Sequence, residues 1–408
     1  MRTYRELFAT AEFTALFGTV SAQVAAATLS GTALGTLVFA ATGSPLLAAL
    51  SLFGSSFAQV VGAATVLSAA DRLPPRATLT GLALFTALTT ALLAAPGLPV
   101  AAAFAVVLGQ GLVNSVGGGV RYGLLAEILP PGGYLLGRSL LNMSVGASQI
   151  AGFALGGVFV AAVSPRGALL AGAGMSLVAA VVARFGLSAR PPRAEGRASV
   201  RETWRGNRAL WSSPARRVVY LGLWIPNGLI VGCEALFIPY APEGASVLFV
   251  TAALGMLAGD ALAGRYLPPS RRRALAVPAL VLLALPYLAF AAHPPLWLAA
   301  GVVAVASAGY CASLLLQERL VALTGPALLG QALGLHSSGM LTMQAVGATL
   351  AGAVAQLLAP GVAMAVMATA SLLVTAGLAG ALATVDNRGE HPAGDPVGRA
   401  ADHSPAGR

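Results

Sequence analysis

Twelve apolar runs, each about as long as a lipid bilayer is thick, leave this chain few folds to choose from. They cover residues 13–40, 45–70, 77–95, 99–120, 139–163 and 167–187, then 218–240, 246–264, 274–292, 295–317, 331–358 and 362–384. A helix rises about 1.5 Å per residue, so roughly 20 apolar residues cross the hydrocarbon core. Lipid offers no partner for backbone N–H and C=O groups. Only helices and closed barrels satisfy these groups internally. Barrel strands alternate apolar and polar residues over about ten positions, and these runs are continuously apolar. The expected fold is an all-α integral membrane protein with twelve transmembrane helices.

The charged residues support the same reading by their scarcity and their placement. They make up 9% of the chain, against about 25% in soluble domains. All 24 cationic side chains are Arg, and 23 of them fall in alternate loops or at the termini; only Arg166 falls on the other side. Cytoplasmic loops collect Arg and Lys, so both termini are expected in the cytoplasm of a bacterial cell, with the chain multi-pass in its cytoplasmic membrane. The absence of lysine reads as the coding bias of a GC-rich genome. The net charge of +10 is spread over seven separate segments. It is therefore an orientation signal, and no nucleic-acid partner is expected.

Nine of the arginines crowd into residues 184–217, between the sixth and seventh runs. This basic divider sets the expected domains: an N-terminal six-helix bundle at 1–187, a cytoplasmic linker at 188–216 and a C-terminal bundle at 217–385. Glu202 and Trp204 suit a surface helix within the linker. The Gly-, Pro- and Asp-rich tail at 386–408 is expected to be disordered. The two sets of six runs also resemble each other. QIAGFALGGVFVAAVSP, at 149–165, aligns without a gap on QAVGATLAGAVAQLLAP, at 344–360. The alignment pairs Gln149 with Gln344, Gly152 with Gly347 and Gly157 with Gly352. LPP follows the second run and again the eighth. A duplicated chain folds into two pseudo-symmetric bundles around a midplane site. Gly152, Gly156, Gly157, Gly347 and Gly352 are expected at close helix crossings, where small residues let backbones approach.

At this point the sequence resembles the major facilitator superfamily, over about residues 10–385. The family carries Gly-x-x-x-Asp-Arg-x-Gly-Arg-Arg between its second and third spans. Here that place reads LSAADRLPPR, from Leu67 to Arg76, keeping Asp71, Arg72 and Arg76 and losing both glycines. TGSPL, from Thr42 to Leu46, looks like the first outer turn of the drug exporters. The fifth-span antiporter motif is similar at Gly152-Phe153-Ala154-Leu155-Gly156-Gly157, with Phe153 in place of Pro. Val107 stands where the family's proton antiporters carry an Arg. These departures resemble the macrolide and siderophore exporters more than the drug/proton branch. The resemblance implies that Asp71, Arg72 and Arg76 bias the two access states, and that the chain moves a small molecule with no cofactor.

The residues themselves narrow the candidate site. A charge at mid-bilayer costs about 2.5–3.5 kcal/mol, so the carboxylates inside runs seven and eight, Glu234 and Asp260, are expected to bind protons or a cationic substrate. Glu127 and Glu318 lie at inner ends, where a structural ion pair suffices. Gln23, Gln110, Asn114, Asn142, Gln149, Asn227, His336 and Gln344 are the neutral polar groups from which a substrate path is built, although interhelical hydrogen bonds explain such groups equally well. Trp224-Ile225-Pro226-Asn227-Gly228 predicts a kinked or broken seventh helix. Cys233 and Cys311 read as small packing residues. The four histidines form no metal cluster, and without lysine there is no phosphate-binding Walker loop, so no metal and no enzyme activity are expected. The resulting expectation is a monomeric, proton-driven efflux permease; the alternatives are an importer or facilitator, and a transport-inactive sensor or immunity protein. Reporter fusions test the topology: a fluorescent protein should light up at both termini, and periplasmic alkaline phosphatase should be active when fused after Arg166 and inactive when fused within the basic divider at 184–217.

Overall fold

Helices account for the regular structure of the described residues, which are 4–66, 73–192, 200–266 and 269–388 of this computed structural model. In order they are α1 (Tyr4–Phe8), α2 (Ala11–Thr42), α3 (Pro45–Val66), α4 (Pro75–Leu93), α5 (Val100–Ile128), α6 (Pro131–Ala162) and α7 (Pro165–Gly186). After the linker helix α8 (Val200–Ser212) come α9 (Pro214–Ala235), α10 (Phe237–Tyr240), α11 (Ala245–Tyr266) and α12 (Pro269–Ala284). A 3-10 helix (Leu285–Ala292), α13 (Leu296–Ala308), α14 (Cys311–Ala322), α15 (Pro326–Val354) and α16 (Pro360–Arg388) complete the chain. Proline opens many of them: Pro75, Pro131, Pro165, Pro214 and Pro326 occupy the first turn, where a missing N–H costs nothing.

Ten helices among the described residues are long and apolar enough to cross a membrane. The second and eleventh predicted runs are the two that fall short of that measure. The described part of α3 offers a shorter apolar stretch, Pro45–Val60. The helix α15 is long enough but carries Gln331, His336 and Gln344 among its apolar residues.

Packing follows the sequence halves. The helix α2 lies against α3, α6 and α7, α3 against α5, and α4 against α5 and α7. In the second half α9 lies against α15 and α16, α11 against α13, and α12 against α14 and α16. The main contacts that join the halves are α3 with α15 and α6 with α11, with smaller ones of α10 on α2 and α3 and of α9 on α3. Glycine makes the crossings close. A Cβ on Gly152 would strike Ala25 and Thr28 of α2, and one on Gly347 would strike the Gly228 backbone of α9. A Cβ on Gly157 would strike Ser246 at the start of α11, and one on Gly352 would strike Leu46 at the start of α3. Each aligned glycine pair thus meets the corresponding helix of the two halves. Gly156 packs on Leu29 and Thr32 of α2.

The joints between the halves gather at one end, where α6 and α15 finish and α3 and α11 begin. Phe153 stacks on Phe249, with ring centroids 5.2 Å apart. On the other side of the joint Gln356 Nε2 donates to Ser44 Oγ at 2.6 Å. An apolar layer of Ala49, Phe53, Val231, Ala235 and Ala348 lies between these contacts and spans α3, α9 and α15.

The seventh helix differs from expectation. It runs unbroken through Pro226, and its interruption comes at Leu236, before α10. The ring of Pro226 would clash with the carbonyl four residues earlier. That residue is Gly222, whose missing Cβ leaves room for local adjustment, and Ser371 Oγ donates to the Pro226 carbonyl at 3.2 Å. Two further interruptions follow in the same half: the 3-10 segment after α12, and the step at Gly309–Tyr310 between α13 and α14. The linker does contain a helix, α8. Asp71, Arg72 and tail residues 389–408 lie outside the described residues; the first residues of the expected tail continue α16 to Arg388.

The glycine crossings yield a paired test. Gly347→Ala places a methyl on the Gly228 carbonyl, whereas a Cβ on Gly334, in the same helix, meets nothing within 4 Å. Overpacking costs about 1–3 kcal/mol, and Ala in an open helix position gains up to about 1 kcal/mol over Gly. Thermal melts of the purified protein should show Gly347→Ala below wild type and Gly334→Ala at or above it.

Candidate functional site

The three helix interruptions of the second half converge on one polar cluster. Glu234 sits in the last turn of α9, just before the break at Leu236. The segment Pro214–Tyr240 is by far the most enclosed of the ten candidate spans, and Glu234 is 5% exposed. Among the described residues it makes no hydrogen bond and no ion pair. Tyr287 of the 3-10 segment lies within electrostatic reach of Glu234 and beside the hydroxyl of Ser307 on α13. Tyr310, at the α13–α14 step, lies within reach of both Glu234 and Asp260 of α11. The glycines of α11 bring these elements together: Gly255 and Gly259 lie against the backbone of Ala304 and Ala308.

Several of these groups are left unsatisfied. Tyr287 Oη, Ser307 Oγ, Asp260 Oδ1 and Asn227 Nδ2 are buried atoms without a hydrogen-bond partner. Asn227 stands two helical turns before Glu234 on the same stripe of α9. With Tyr310 and Ser313 it lines a hole of about 10 Å3, room for about one water molecule. Buried polar atoms are nearly always paired; orphans also occur at Thr80, Ser176, His336 and Thr375, and those of the second-half cluster differ in accompanying the carboxylates Glu234 and Asp260. Glu234 therefore faces the interior of the second half. Asp260 is half-buried at its other edge.

The neutral polar residues divide into two groups. The amide of Gln110 donates to Thr89 at 2.7 Å and Thr90 at 3.1 Å, and Asn114 donates to Thr86 at 3.2 Å. Both belong to a ladder joining α5 to the threonines of α4, which leaves little of either amide for a ligand. Gln23 and Gln149 are partly exposed on α2 and α6, near the hydrogen bond between Ser21 and Ser144 that joins the same two helices. His336 and Gln344 are buried in α15. The His336 carbonyl accepts from Trp224 Nε1 at 3.1 Å, while its Nδ1 has no partner. Nothing is described of the side chain of Asn142.

A second charged cluster closes the end of the first half where α2 begins. Arg190, just past α7, grips Glu12 through Nη1 at 3.0 Å and Nη2 at 2.6 Å, and its Nε lies 3.4 Å from Glu127. The backbone N–H of Ser188 also donates to Glu12 at 2.6 Å. The bidentate carboxylate raises the pKa of the Arg190 guanidinium above its ordinary value. Nearby, Arg121 and Arg138 each lie 4.9 Å from the centre of the Tyr122 ring. Arg76 is partly buried in the first turn of α4, while its expected partners Asp71 and Arg72 lie outside the described residues.

Sequence reasoning missed Tyr287, Ser307 and Tyr310, and it missed the Glu12–Arg190 pair. The tyrosines and the serine are ordinary residues in apolar runs. Their signal was the neighbouring helix breaker, Pro286 before Tyr287 and Gly309 before Tyr310. Glu12 and Arg190 are 178 residues apart, with no local pattern to join them.

A multi-pass helical membrane chain with a buried polar cluster at broken helices follows a plan that secondary transporters use. The sequence profile of the Major Facilitator Superfamily matches residues 13–243, more than half of the chain, and the chain belongs to that family. No curated protein matches it in sequence. Solved structures share the fold. A bacterial homologue of the human lysosomal transporter Spinster, inward-facing and occupied, superposes with TM-score 0.67 at 14% identity, covering 95% of this chain and 98% of that one. A POT family transporter in complex with 5-aminolevulinic acid gives 0.66 at 11% identity over 91% of this chain and 96% of that one. The nucleoside transporter NupG gives 0.62 at 14% identity over 92% and 99%.

The orphaned hydroxyl makes a stability prediction of unusual sign. Tyr220 Oη donates to the Ala332 carbonyl at 3.1 Å, so Tyr220→Phe should cost about 0.5–1.5 kcal/mol. Tyr287→Phe removes a buried group that has no partner and should leave the melting temperature unchanged or raise it. Melts of the two purified variants decide the matter; a Tyr287→Phe protein less stable than Tyr220→Phe would show that the hydroxyl is structural.

Proposed function

We propose that the chain is a secondary active transporter of a bacterial cytoplasmic membrane that exports a small amphipathic compound, such as an antibiotic, siderophore or other natural product, in exchange for protons. The observation that carries this reading is Glu234: a carboxylate 5% exposed, without a partner among the described residues, at a helix break and among orphaned hydroxyls. A fixed structural charge would be paired at such a depth. A group that binds and releases a proton during a cycle is not permanently paired. Asp260, within reach of Tyr310 from the other side, is the second coupling carboxylate.

Two bundles at 1–187 and 217–385, twelve spans and cytoplasmic termini complete the proposed architecture. The glycine pairs that meet corresponding helices support it. Rocking of the bundles would alternate access, with Asp71, Arg72 and Arg76 biasing one state. A charge at a helix end contributes about 0.3–1 kcal/mol, enough to shift such an equilibrium. The contacts at Phe153–Phe249 and Gln356–Ser44 support a state closed at the outer end, in line with the inward-facing structure among the fold's relatives. The export direction rests on the resemblance of TGSPL and of the fifth-span glycines to exporters. The functional unit is proposed to be a monomer.

Inverted membrane vesicles energised by a proton gradient test the reading, with ethidium as the fluorescent amphipathic probe. Wild-type protein should accumulate the probe, and a protonophore should abolish the accumulation. The double variant Glu234→Gln/Asp260→Asn should lose at least tenfold of the gradient-driven rate while retaining probe binding. Accumulation that persists in the double variant refutes the coupling assignment. Downhill movement that ignores the protonophore would favour a facilitator, and binding without movement a sensor.

A further inference from the structure

The linker helix α8 is held in a fixed place by contacts that the transport reading does not use. Its sequence, VRETWRGNRALWS, ends at Ser212, and Arg216 in the first turn of α9 clasps that end. Arg216 Nε donates to the Leu210 carbonyl at 3.2 Å and Nη2 to the Ala209 carbonyl at 3.0 Å. Its Nη1 donates to the Leu323 carbonyl, between α14 and α15, at 3.1 Å. The last carbonyls of a helix have no partner within it, and a cation there also meets the negative end of the helix dipole. One side chain thus caps α8 and ties it to two other elements. Asn207 adds a second tie, accepting from Gln331 of α15 at 2.9 Å.

The docked face is clear. Leu210 is fully buried, and the Trp211 ring stacks on Tyr220 at 6.2 Å and Trp224 at 5.8 Å. Those two rings lie in the second and third turns of α9, so the end of α8 sits level with the edge of a membrane-spanning helix. The flank beside it bears Trp204, 71% exposed, with Arg205 and Arg208 also exposed. Trp204 stands two turns before Trp211 on nearly the same line of the helix, and Arg208 and then Arg205 lie further round from the docked face. An exposed tryptophan beside arginines on a rigid helix at the edge of a span has the composition of a helix lying in a membrane interface. The indole prefers the headgroup level, and arginine reaches lipid phosphates while its stem stays in apolar surroundings.

We propose that the Trp204–Arg205–Arg208 face of α8 docks on anionic phospholipid headgroups, at the membrane surface from which α9 enters the bilayer. Charge complementarity selects this occupant. A neutral protein surface would satisfy the tryptophan but leave Arg205 and Arg208 without a counter-charge. The lipid contact acts on the second half of the chain, because both ties of α8, through Arg216 and Asn207, lead to its elements.

The full-length protein in nanodiscs of phosphatidylcholine, with or without phosphatidylglycerol, provides the test. The emission of Trp204, obtained as the difference between wild type and Trp204→Phe, should be quenched by brominated phosphatidylcholine and shielded from aqueous iodide. Native mass spectrometry should show preferential retention of phosphatidylglycerol. The Arg205→Gln/Arg208→Gln variant should lose that preference, by about fivefold for each arginine removed. Both positions are exposed, and an unchanged melting temperature confirms that the variant is folded. Three results would each overturn the proposal: iodide quenching without bromolipid quenching, equal phosphatidylglycerol retention by a folded double variant, or a dimer that depends on Trp204, which would mean that a second copy covers this face.

Discussion

The crossing of α9 and α15 at Gly228, Gly232 and Gly347 is the contact on which the second half depends. Lipid tails are as apolar as leucine, so burial alone does not draw two helices together in a bilayer. What remains is close packing and its dispersion attraction, which fades within an ångström of separation. Glycine against a backbone carbonyl is the closest approach available, and here Gly347 meets Gly228 while Gly232 meets the Gly347 carbonyl. The crossing fixes which face of α9 looks elsewhere. Asn227 and Glu234 are turned to α12, the 3-10 segment and α14, and the polar cluster forms on that side.

Much of this was legible in the sequence because it obeys strong rules. Apolar length predicted helices, and the structure carries one in the described part of every predicted run. The glycine alignment between 149–165 and 344–360 led to crossings that the structure places on corresponding helices. The interruption of α9 was less legible. Proline is a strong local signal, yet Pro226 sits in an unbroken helix, with Gly222 at the position its ring would crowd. The break at Leu236 has no local marker other than the nearby Pro239. The polar cluster was half visible. A buried carboxylate stands out in an apolar run, but Tyr287, Ser307 and Tyr310 acquire meaning only when three interrupted helices meet.

The charges fall into two populations. At the helix ends they are paired and tie elements together: Arg190 joins α2, α5 and the segment after α7, and Arg216 joins α8, α9 and the loop before α15. Within the second half, Glu234 and Asp260 lie near tyrosine hydroxyls, and neither forms an ion pair among the described residues. The Gln110–Asn114 ladder to α4 gives the first half a further kind of polar contact, neutral and made between side chains. Among the described residues the second half alone combines broken helices, unpaired carboxylates and orphaned hydroxyls. The coupling chemistry proposed above is therefore lopsided between the halves.

The joint between the halves is lopsided too. On the α6–α11 side two phenyl rings stack face to face; on the α3–α15 side an exposed amide meets a hydroxyl. Water replaces an exposed hydrogen bond at little net cost, whereas separating stacked rings exposes apolar surface to solvent. The α3–α15 side is wet only at that rim, because Gly352 lies on Leu46 and Ala49, Phe53 and Ala348 belong to an apolar layer there. Parting the halves would expose apolar surface on both sides, and only the Gln356–Ser44 rim would exchange its contact for water.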